Sequence, residues 1–299
     1  MKKVIVIAGP TASGKSAAAV RIAEAIHGEI ISGDSIQVYR GMNIGSGKVT
    51  PDEMHGIPHH LIDILEPTES YSAADFQAMA RPLIEEIEHP VICGGTGLYL
   101  KACLYDYSFR AEKDIPLNPE YEALSSEKLH ALLAQIDPES AEKIHPNNRR
   151  RVLRAIAIAK RTGKTKSEQE KEQAHAPVYD LFIAGCTMER SRLYERINNR
   201  VEGMFQAGLE AEVRTLLSKG VTFDCPSMRG IGYQEFRPYF EGCASVEEVK
   251  EAIQKHSRNY AKRQYTWLNH QMPVRWYDMT QESEKKRMER EMLEWKEKM

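Results

Sequence analysis

The 299-residue sequence has few cysteines, no long hydrophobic run and no excess of either charge. Its five cysteines form no C-x-x-C pair, which argues against a zinc ribbon or a disulfide framework and favours a reducing compartment. No apolar run approaches the roughly 20 residues that a membrane helix needs. The 41 basic and 43 acidic residues give a net charge of −2, so global charge identifies no class of partner. We expect a cytoplasmic globular protein without a signal peptide, because a predicted core strand starts within the first residues.

A phosphate-binding motif lies next to the N-terminus and matches the pattern G-x-x-x-x-G-K-[ST]. It comprises Gly9, Pro10, Thr11, Ala12, Ser13, Gly14, Lys15 and Ser16. The β-branched run before it predicts a buried parallel strand, and the residues after it predict a helix with Gly28 as its C-cap. In this arrangement backbone N–H groups and the helix N-terminus face an anion, Lys15 adds a positive charge, and Ser16 can reach a Mg²⁺ ion. The motif therefore predicts a polyphosphate site.

Strand and helix patterns alternate along much of the chain. Strands are predicted at 29–33, 59–65, 90–93, 179–185 and 274–277, and later helices at 209–217 and 246–267. A capping box formed by Ser72 and Asp75 predicts another helix, with a kink at Pro82. The charged tail carries one apolar stripe, typical of a docking face, which includes Met288, Met292 and Trp295.

The middle of the chain differs from the rest. Residues 114–177 show a helical, charged and proline-containing pattern without a convincing strand. We therefore predict an α/β core over 1–113 and 178–299, with a parallel sheet flanked by helices, and a helical insertion domain over 114–177.

Two polar residues follow predicted core strands. Asp34 ends the strand after the first helix, so its side chain should emerge at the sheet edge where doubly wound folds bind ligands. A carboxylate there could bind Mg²⁺ or act as a general base, although a turn-forming Asp would give the same pattern. Thr96 lies among glycines that allow a ligand to approach closely, and an ordinary strand-to-helix turn is the equal alternative.

Two basic segments could contact phosphate. No acidic residue interrupts 149–167, and on a helix Arg150, Arg151 and Arg154 are neighbours. They fit a lid over a phosphoanion, contacts to nucleic acid, or a solvated charged face. Residues 258–267 interleave basic and aromatic side chains, which suits base stacking with phosphate contact but also buried aromatics with snorkelling basic residues. The adjacent pair His59 and His60 should point to opposite faces of a strand, which favours a structural role over metal binding.

Taken together, the motifs resemble the tRNA dimethylallyltransferase family, the bacterial tRNA isopentenyltransferases. They lie at residues 9–16, 34–45, 58–63, 94–99, 145–154, 228–234 and 260–268. The resemblance runs from about residue 3 to residue 277. It implies an α/β P-loop core resembling nucleotide kinases, with a parallel sheet flanked by helices and a helical insertion domain.

The resemblance also implies a reaction. The family transfers a dimethylallyl group from dimethylallyl diphosphate to N6 of adenine 37 in tRNA, requires Mg²⁺ and releases diphosphate. By resemblance Asp34 is the general base and Thr96 lies near the adenine. The phosphate loop with Lys15, the arginines Arg151 and Arg154, and Mg²⁺ on Ser16 would stabilise the leaving diphosphate. Asp34 is a second candidate metal ligand.

The implied partners are tRNA and dimethylallyl diphosphate, with no membrane and with a monomer as the expected state. The implied tRNA contacts are Asp34, Ser35, Ile36, Gln37, Thr96, Arg150, Arg151, Arg154, Arg229, Gly232, Tyr233, Gln234, Lys262, Arg263, Gln264 and Trp267.

Two other classes of protein share part of this pattern. A nucleoside or nucleotide kinase would have the phosphate loop, the lid arginines and the fold class, but the basic-aromatic segment would have no obvious purpose. A non-catalytic RNA-binding protein with a vestigial phosphate loop is the third class, and the intact Lys15-Ser16 pair with Asp34 argues against it.

Overall fold

The computed structural model describes residues 1–109, 119–172 and 175–298. The chain divides into two compact units, one of Met1–Tyr105 with Pro177–Met299 and one of Asp106–Ala176. The predicted insertion domain, 114–177, overlaps the second unit, and its predicted first boundary lies outside the described residues.

Parallel strands form one six-stranded sheet in the first unit, in the order β3-β2-β4-β1-β5-β6. The strands are β1 (Lys3–Ala8), β2 (Glu29–Ser32), β3 (His59–His60), β4 (Pro90–Gly94), β5 (Asp180–Thr187) and β6 (Arg275–Asp278). β1 is central, pairs with β4 and β5 on its two sides, and is buried over five of its six residues. The sheet and its flanking helices confirm the predicted α/β class.

The described helices span both units. In chain order they are α1 (Lys15–Ile26), α2 (Pro51–Met54), α3 (Ala73–Glu86), α4 (Gly97–Leu104), α5 (Pro119–Glu122), α6 (Ser126–Ile136), α7 (Pro138–Lys143), α8 (Arg149–Thr162), α9 (Lys166–Lys171), α10 (Arg190–Gln206), α11 (Leu209–Ser218), α12 (Arg237–Phe240), α13 (Val246–Gln271) and α14 (Glu282–Glu297). Two 3-10 turns, Ser227–Arg229 and Gln234–Phe236, precede α12. In the part of the chain that the structure describes, no helix has the length and apolar character needed to cross a bilayer.

Local signals explain where several elements begin and how they pack. The capping box of Ser72 and Asp75 opens α3, which continues through Pro82.

α14 packs its fully buried Met288 and Met292 into the core beside β5 and β6, so the predicted docking stripe docks on the protein's own sheet. Each such methionine contributes about 1.5–3 kcal/mol of burial free energy.

Two local predictions are wrong. The strand predicted over 59–65 ends at His60, because Leu61 (φ 61°) and Asp63 (φ 54°) adopt left-handed backbone that a strand cannot contain. The left-handed C-cap of α1 is His27 (φ 53°) rather than Gly28. Glycine is required at position 28 for a different reason, since a Cβ there would lie 2.4 Å from the carbonyl oxygen of His89.

The second unit is helical over its described residues and has its own core. Leu129 and Leu133 of α6 pack against Val152 and Ile156 of α8. The buried Asp137 carboxylate joins two further helices: it accepts from Ser140 N (3.0 Å) at the start of α7 and from Ser167 Oγ (2.6 Å) in α9. This unit therefore folds around side chains of its own helices.

Candidate active site

The phosphate loop connects β1 to α1 through backbone conformations that favour glycine. Gly9 (φ 150°), Ala12 (φ 62°) and Gly14 (φ 90°) all have positive φ. A Cβ on Gly9 would lie 2.7 Å from the carbonyl oxygen of Cys186, so β5 restricts this position to glycine. Gly14 is the N-cap of α1 and has no side chain to cap the helix, which leaves the first turn open to an external anion.

Lys15 places a positively charged side chain at the start of α1. Its Nζ lies 3.3 Å from the carbonyl oxygen of Pro10. Burial lowers the pKa of Lys15; Arg200 lowers this pKa further, whereas Cys93 and Asp34 raise it. Because the protein compensates this charge incompletely, a bound anion would gain from it.

Asp34 lies two residues after β2, at the carboxyl edge of the sheet. Its Oδ1 accepts from Ile36 N (2.8 Å) and Gln37 N (3.3 Å), so it does form a turn. The same side chain also lines a cavity of about 450 Å³ together with Lys15. The turn and the functional interpretation are therefore compatible, because the turn orients the carboxylate toward this cavity.

The cavity brings together many of the predicted site residues. Those that line it are Thr11, Lys15, Ser16, Asp34, Ser35, Ile36, Gln37, Arg229, Gln234, Arg263 and Gln264. Apolar side chains of α10 and α13, among them Ile197, Val201, Met204 and Ile253, line another part of the same wall. The cavity thus combines an anion site with an apolar surface.

α13 packs directly on the two glycine-rich loops. Gln264 accepts from Thr11 N (3.0 Å) and donates to the carbonyl oxygen of Gly95 (2.9 Å). A Cβ on Gly95 would lie 2.3 Å from Gln264 Nε2, and one on Gly97 would lie 2.0 Å from the Trp267 ring. The glycines around Thr96 therefore allow α13 to approach.

A protein-family model matches most of this chain. The model of the "IPP transferase" family matches residues 37–271. The chain belongs to the IPP transferase family. This assignment confirms the resemblance found in the motifs.

Relatives and solved structures match nearly the whole chain. The tRNA dimethylallyltransferase of Anoxybacillus flavithermus is 48% identical over 98% of this chain and 96% of its own. The crystal structure of the tRNA delta(2)-isopentenylpyrophosphate transferase of Staphylococcus epidermidis is 44% identical, covers 99% of each chain and superposes with a TM-score of 0.73. A eukaryotic dimethylallyltransferase acting on tRNA is 30% identical, covers 92% of this chain and 74% of its own, and has a TM-score of 0.79.

Arg200 is a site residue of this IPP transferase that the motifs do not reveal. It lies on α10, lines the cavity and donates from Nη2 to the carbonyl oxygen of Gly47 (3.0 Å). Burial lowers its pKa, while Asp34 raises it. A signal existed in the sequence: position 200 is three residues after Ile197, on the buried side of an amphipathic helix, where an arginine is unusual.

In the basic-aromatic segment of α13, the basic side chains fit the predicted phosphate contacts, whereas one aromatic side chain fits the alternative of packing within the protein. Lys262 and Arg263 are exposed. Tyr265 instead bonds Thr187 Oγ1 (2.7 Å) and packs on Trp276, with 5.1 Å between ring centroids.

Tyr260 faces the site from the same helix. Burial and the charge of Asp34 raise its pKa, and hydrogen bonds with Thr96 and Gln264 lower it. Tyr260 lines the cavity, whereas Thr96 is not itself a lining residue.

Two predicted RNA contacts need correction. Tyr233 has no exposed surface, and Gly232 is buried with φ 100°. Neither can touch RNA directly in this structure, so they support neighbouring residues instead. Arg229 and Gln234, on either side of them, are exposed and line the cavity.

The predicted lid arginines lie in the second unit. Arg150, Arg151 and Arg154 are exposed on α8, because the opposite side of the helix buries Val152 and Ile156. Their contacts with a diphosphate or with RNA remain predictions.

The donors at the cavity suit a magnesium ion held mainly by substrate. Among the described residues, no group of three or more His, Cys, Asp or Glu side chains could hold a metal. The Ser16 hydroxyl and the Asp34 carboxylate both line the cavity and are oxygen donors. Mg²⁺ is commonly held by one or two such groups together with substrate phosphates, so these residues fit it.

Proposed function

We propose that this chain transfers a dimethylallyl group from dimethylallyl diphosphate to N6 of adenine 37 of tRNA. Its family and the names of its near full-length relatives make it a tRNA-modifying prenyltransferase. The observation that supports the mechanism is a single cavity lined by Lys15, Arg200 and Asp34. The charges of Lys15 and Arg200 suit departure of an anion, and the Asp34 carboxylate suits removal of a proton.

The cationic side of the cavity would act on the leaving group. Loop N–H groups, Lys15 and Arg200 would stabilise the charge that develops on the diphosphate as its C–O bond breaks. Ser16, together with phosphate oxygens of the substrate, would hold Mg²⁺, which when bound would neutralise more of that charge. The apolar surface of Ile197 and Val201 would suit the allyl group.

Asp34 would act on the nucleophile. The adenine N6 amine is weakly nucleophilic because its lone pair is delocalised into the ring. As the N6–C bond forms, N6 loses a proton, and the Asp34 carboxylate accepts it. The bonds from Ile36 N and Gln37 N orient the carboxylate for this transfer.

RNA would enter with its target base extruded from the anticodon loop. The exposed Arg229, Gln234 and Arg263 at the cavity, with Lys262 beside them, would contact RNA outside the pocket. Tyr265 is held by protein partners and is not part of this surface. Arg150, Arg151 and Arg154 would add contacts from the second unit. A monomeric state and a cytoplasmic location remain expectations.

A side-by-side transfer assay tests the proposal. The purified protein, with Mg²⁺ and an anticodon stem-loop carrying unmodified A37, receives labelled dimethylallyl diphosphate in one reaction and γ-labelled ATP in the other. We expect label in RNA from the allyl donor alone, and none with a stem-loop carrying G37. Phosphoryl transfer from ATP without allyl transfer would replace this proposal with the kinase interpretation.

A further inference from the structure

Two chain segments that line the cavity touch each other at glycines. One contains residues 43–47 and the other residues 230–235. A Cβ on Gly232 would lie 2.9 Å from the carbonyl oxygen of Gly45, and a Cβ on Gly45 would lie 2.6 Å from Cζ of Tyr233. The backbones can therefore approach this closely only because both positions are glycine.

A single carboxylate holds the first segment and connects it to the second. Glu212 of α11 accepts from Asn43 N (2.9 Å) and Ile44 N (2.7 Å) at Oε2, and from Gly45 N (3.1 Å) at Oε1. The same Oε1 accepts from the hydroxyl of Tyr233 (2.8 Å). Three successive backbone N–H groups around one carboxylate form an anion nest, here occupied by the protein's own side chain.

Tyr233 completes the connection. Its hydroxyl donates to Glu212 and accepts from Ser46 N (3.1 Å), and the residue has no exposed surface. Burial and the charge of Glu212 raise its pKa, so the hydroxyl stays protonated and remains a donor.

The first segment also positions a cation of the site. The carbonyl oxygen of Gly47 accepts from Arg200 Nη2 (3.0 Å) and from Gln37 Nε2 (3.3 Å). A Cβ on Gly47 would lie 1.6 Å from Arg200 Nη2, so the two groups pack without free space. Continuous contacts therefore run from the segment beside Arg229 to Arg200.

We propose that Glu212 and Tyr233 are positioning residues that make binding of RNA at the 230–235 segment and binding of diphosphate at Arg200 interdependent. RNA contact with Arg229 and Gln234 would fix the position of the 230–235 segment. The hydrogen bonds of Tyr233 and Glu212 would then fix the position of the 43–47 segment, which contains Gly47. This inference rests on the proposed function, because it takes RNA and a diphosphate as the two ligands.

A binding experiment tests the inference without relying on catalysis. Inorganic diphosphate with Mg²⁺ is titrated into the full-length protein by calorimetry, with and without saturating A37 stem-loop. We expect RNA to tighten diphosphate binding at least about fivefold in the unaltered protein. In Tyr233→Phe or Glu212→Gln, the ratio of the two Kd values should fall to within about twofold of one.

A matched control pair joins α12 to α11, the helix that carries Glu212. Tyr239 donates to Glu210 Oε1 (3.0 Å) on α11, and both lie outside the set of described residues that lines the cavity. Tyr239→Phe and Glu210→Gln should keep the unaltered ratio. If Tyr233 had a purely structural role, Tyr233→Phe would lower Tm and leave the ratio of the two Kd values unchanged.

Three results would overturn the inference. These are a ratio below about twofold in the unaltered protein, an unchanged ratio in whichever of Tyr233→Phe and Glu212→Gln folds, and failure of both variants to fold at 25 °C. The last would show that the pair supports the fold rather than the site. All three are compatible with allyl transfer by the unaltered protein, so the proposed function fails only in its own assay.

Discussion

The two sides of the cavity are built by different means. The strand-edge side consists of the phosphate loop, residues 9–16, and the Asp34 turn, and it acts largely through backbone N–H groups and positive-φ turns. The helical side consists of Arg200, Tyr260 and Gln264 on α10 and α13, and it acts through side chains. Its hydrogen bonds connect positions far apart in sequence, 253 residues for Gln264 with Thr11 and 153 for Arg200 with Gly47.

This difference predicts different responses to mutation. The strand-edge side is formed by a few consecutive residues, so changing one polar side chain there should affect the reaction more than the fold. The helical side is held in place by packing, because its side chains also join loops to helices. Changes on that side should therefore combine losses of activity with losses of stability.

Asp34→Asn should have the largest effect, on the strand-edge side. Asparagine keeps an Oδ1 acceptor for Ile36 N and Gln37 N, so the turn should persist, but the side chain can no longer accept a proton. We expect kcat to fall by about 10²–10⁴-fold, with diphosphate affinity and Tm nearly unchanged. Single-turnover transfer measures the first quantity and calorimetry the second. A kcat within threefold of the unaltered protein would exclude Asp34 as the base.

Arg200→Gln tests the helical side. Loss of the cation that faces Asp34 should lower kcat/KM for the allyl donor by about 10²-fold, because that charge would stabilise the departing diphosphate. Arg192→Gln, an exposed arginine two turns earlier on α10, is the matched control and should stay within about threefold. If both substitutions lowered kcat/KM equally, the loss would come from the overall positive charge of the helix and not from the position of Arg200.

The strand-edge side is also the part that sequence predicts. The spacing of residues 9–16 and the position of Asp34 after a strand are local patterns, and the cavity contains both. The capping box of α3 and the pattern that predicts a helix over 209–217 are local as well, and α3 and α11 follow them. Each of these features depends on neighbours within a few residues.

The helical side could not be predicted in the same way. Which residue faces Gly47 or Thr11 depends on how α10 and α13 cross the sheet edge, and no local spacing encodes that. Tyr233 illustrates the difficulty, since a motif indicates a functional tyrosine but only packing shows that it is buried against Glu212. The predicted length of β3 was wrong for a related reason, because left-handed backbone at Leu61 ends an otherwise strand-like run.

Gln264→Glu should weaken the junction between the two sides. The new carboxylate keeps an acceptor for Thr11 N but places a negative charge against the carbonyl oxygen of Gly95 in a buried position. We expect a loss of about 1–3 kcal/mol in the free energy of unfolding, measured in urea. Gln271→Glu, at the exposed end of the same helix where Gln271 accepts from Lys101, is the control and should be nearly neutral. Equal losses in both variants would contradict a special role for Gln264.

The smallest expected effect is a pH dependence that belongs to Lys15 on the strand-edge side. Burial lowers its pKa, so in the unliganded protein it should lose its charge at a lower pH than an ordinary lysine. Diphosphate affinity should then decline as pH rises through that lowered pKa, and Lys15→Arg should remove the decline, because arginine stays charged. Ionisation of the ligand is common to both proteins, so the ratio of their affinities between pH 7 and pH 10 isolates Lys15. A ratio that stays constant over this range would mean that backbone N–H groups, rather than the lysine charge, dominate anion binding on this side.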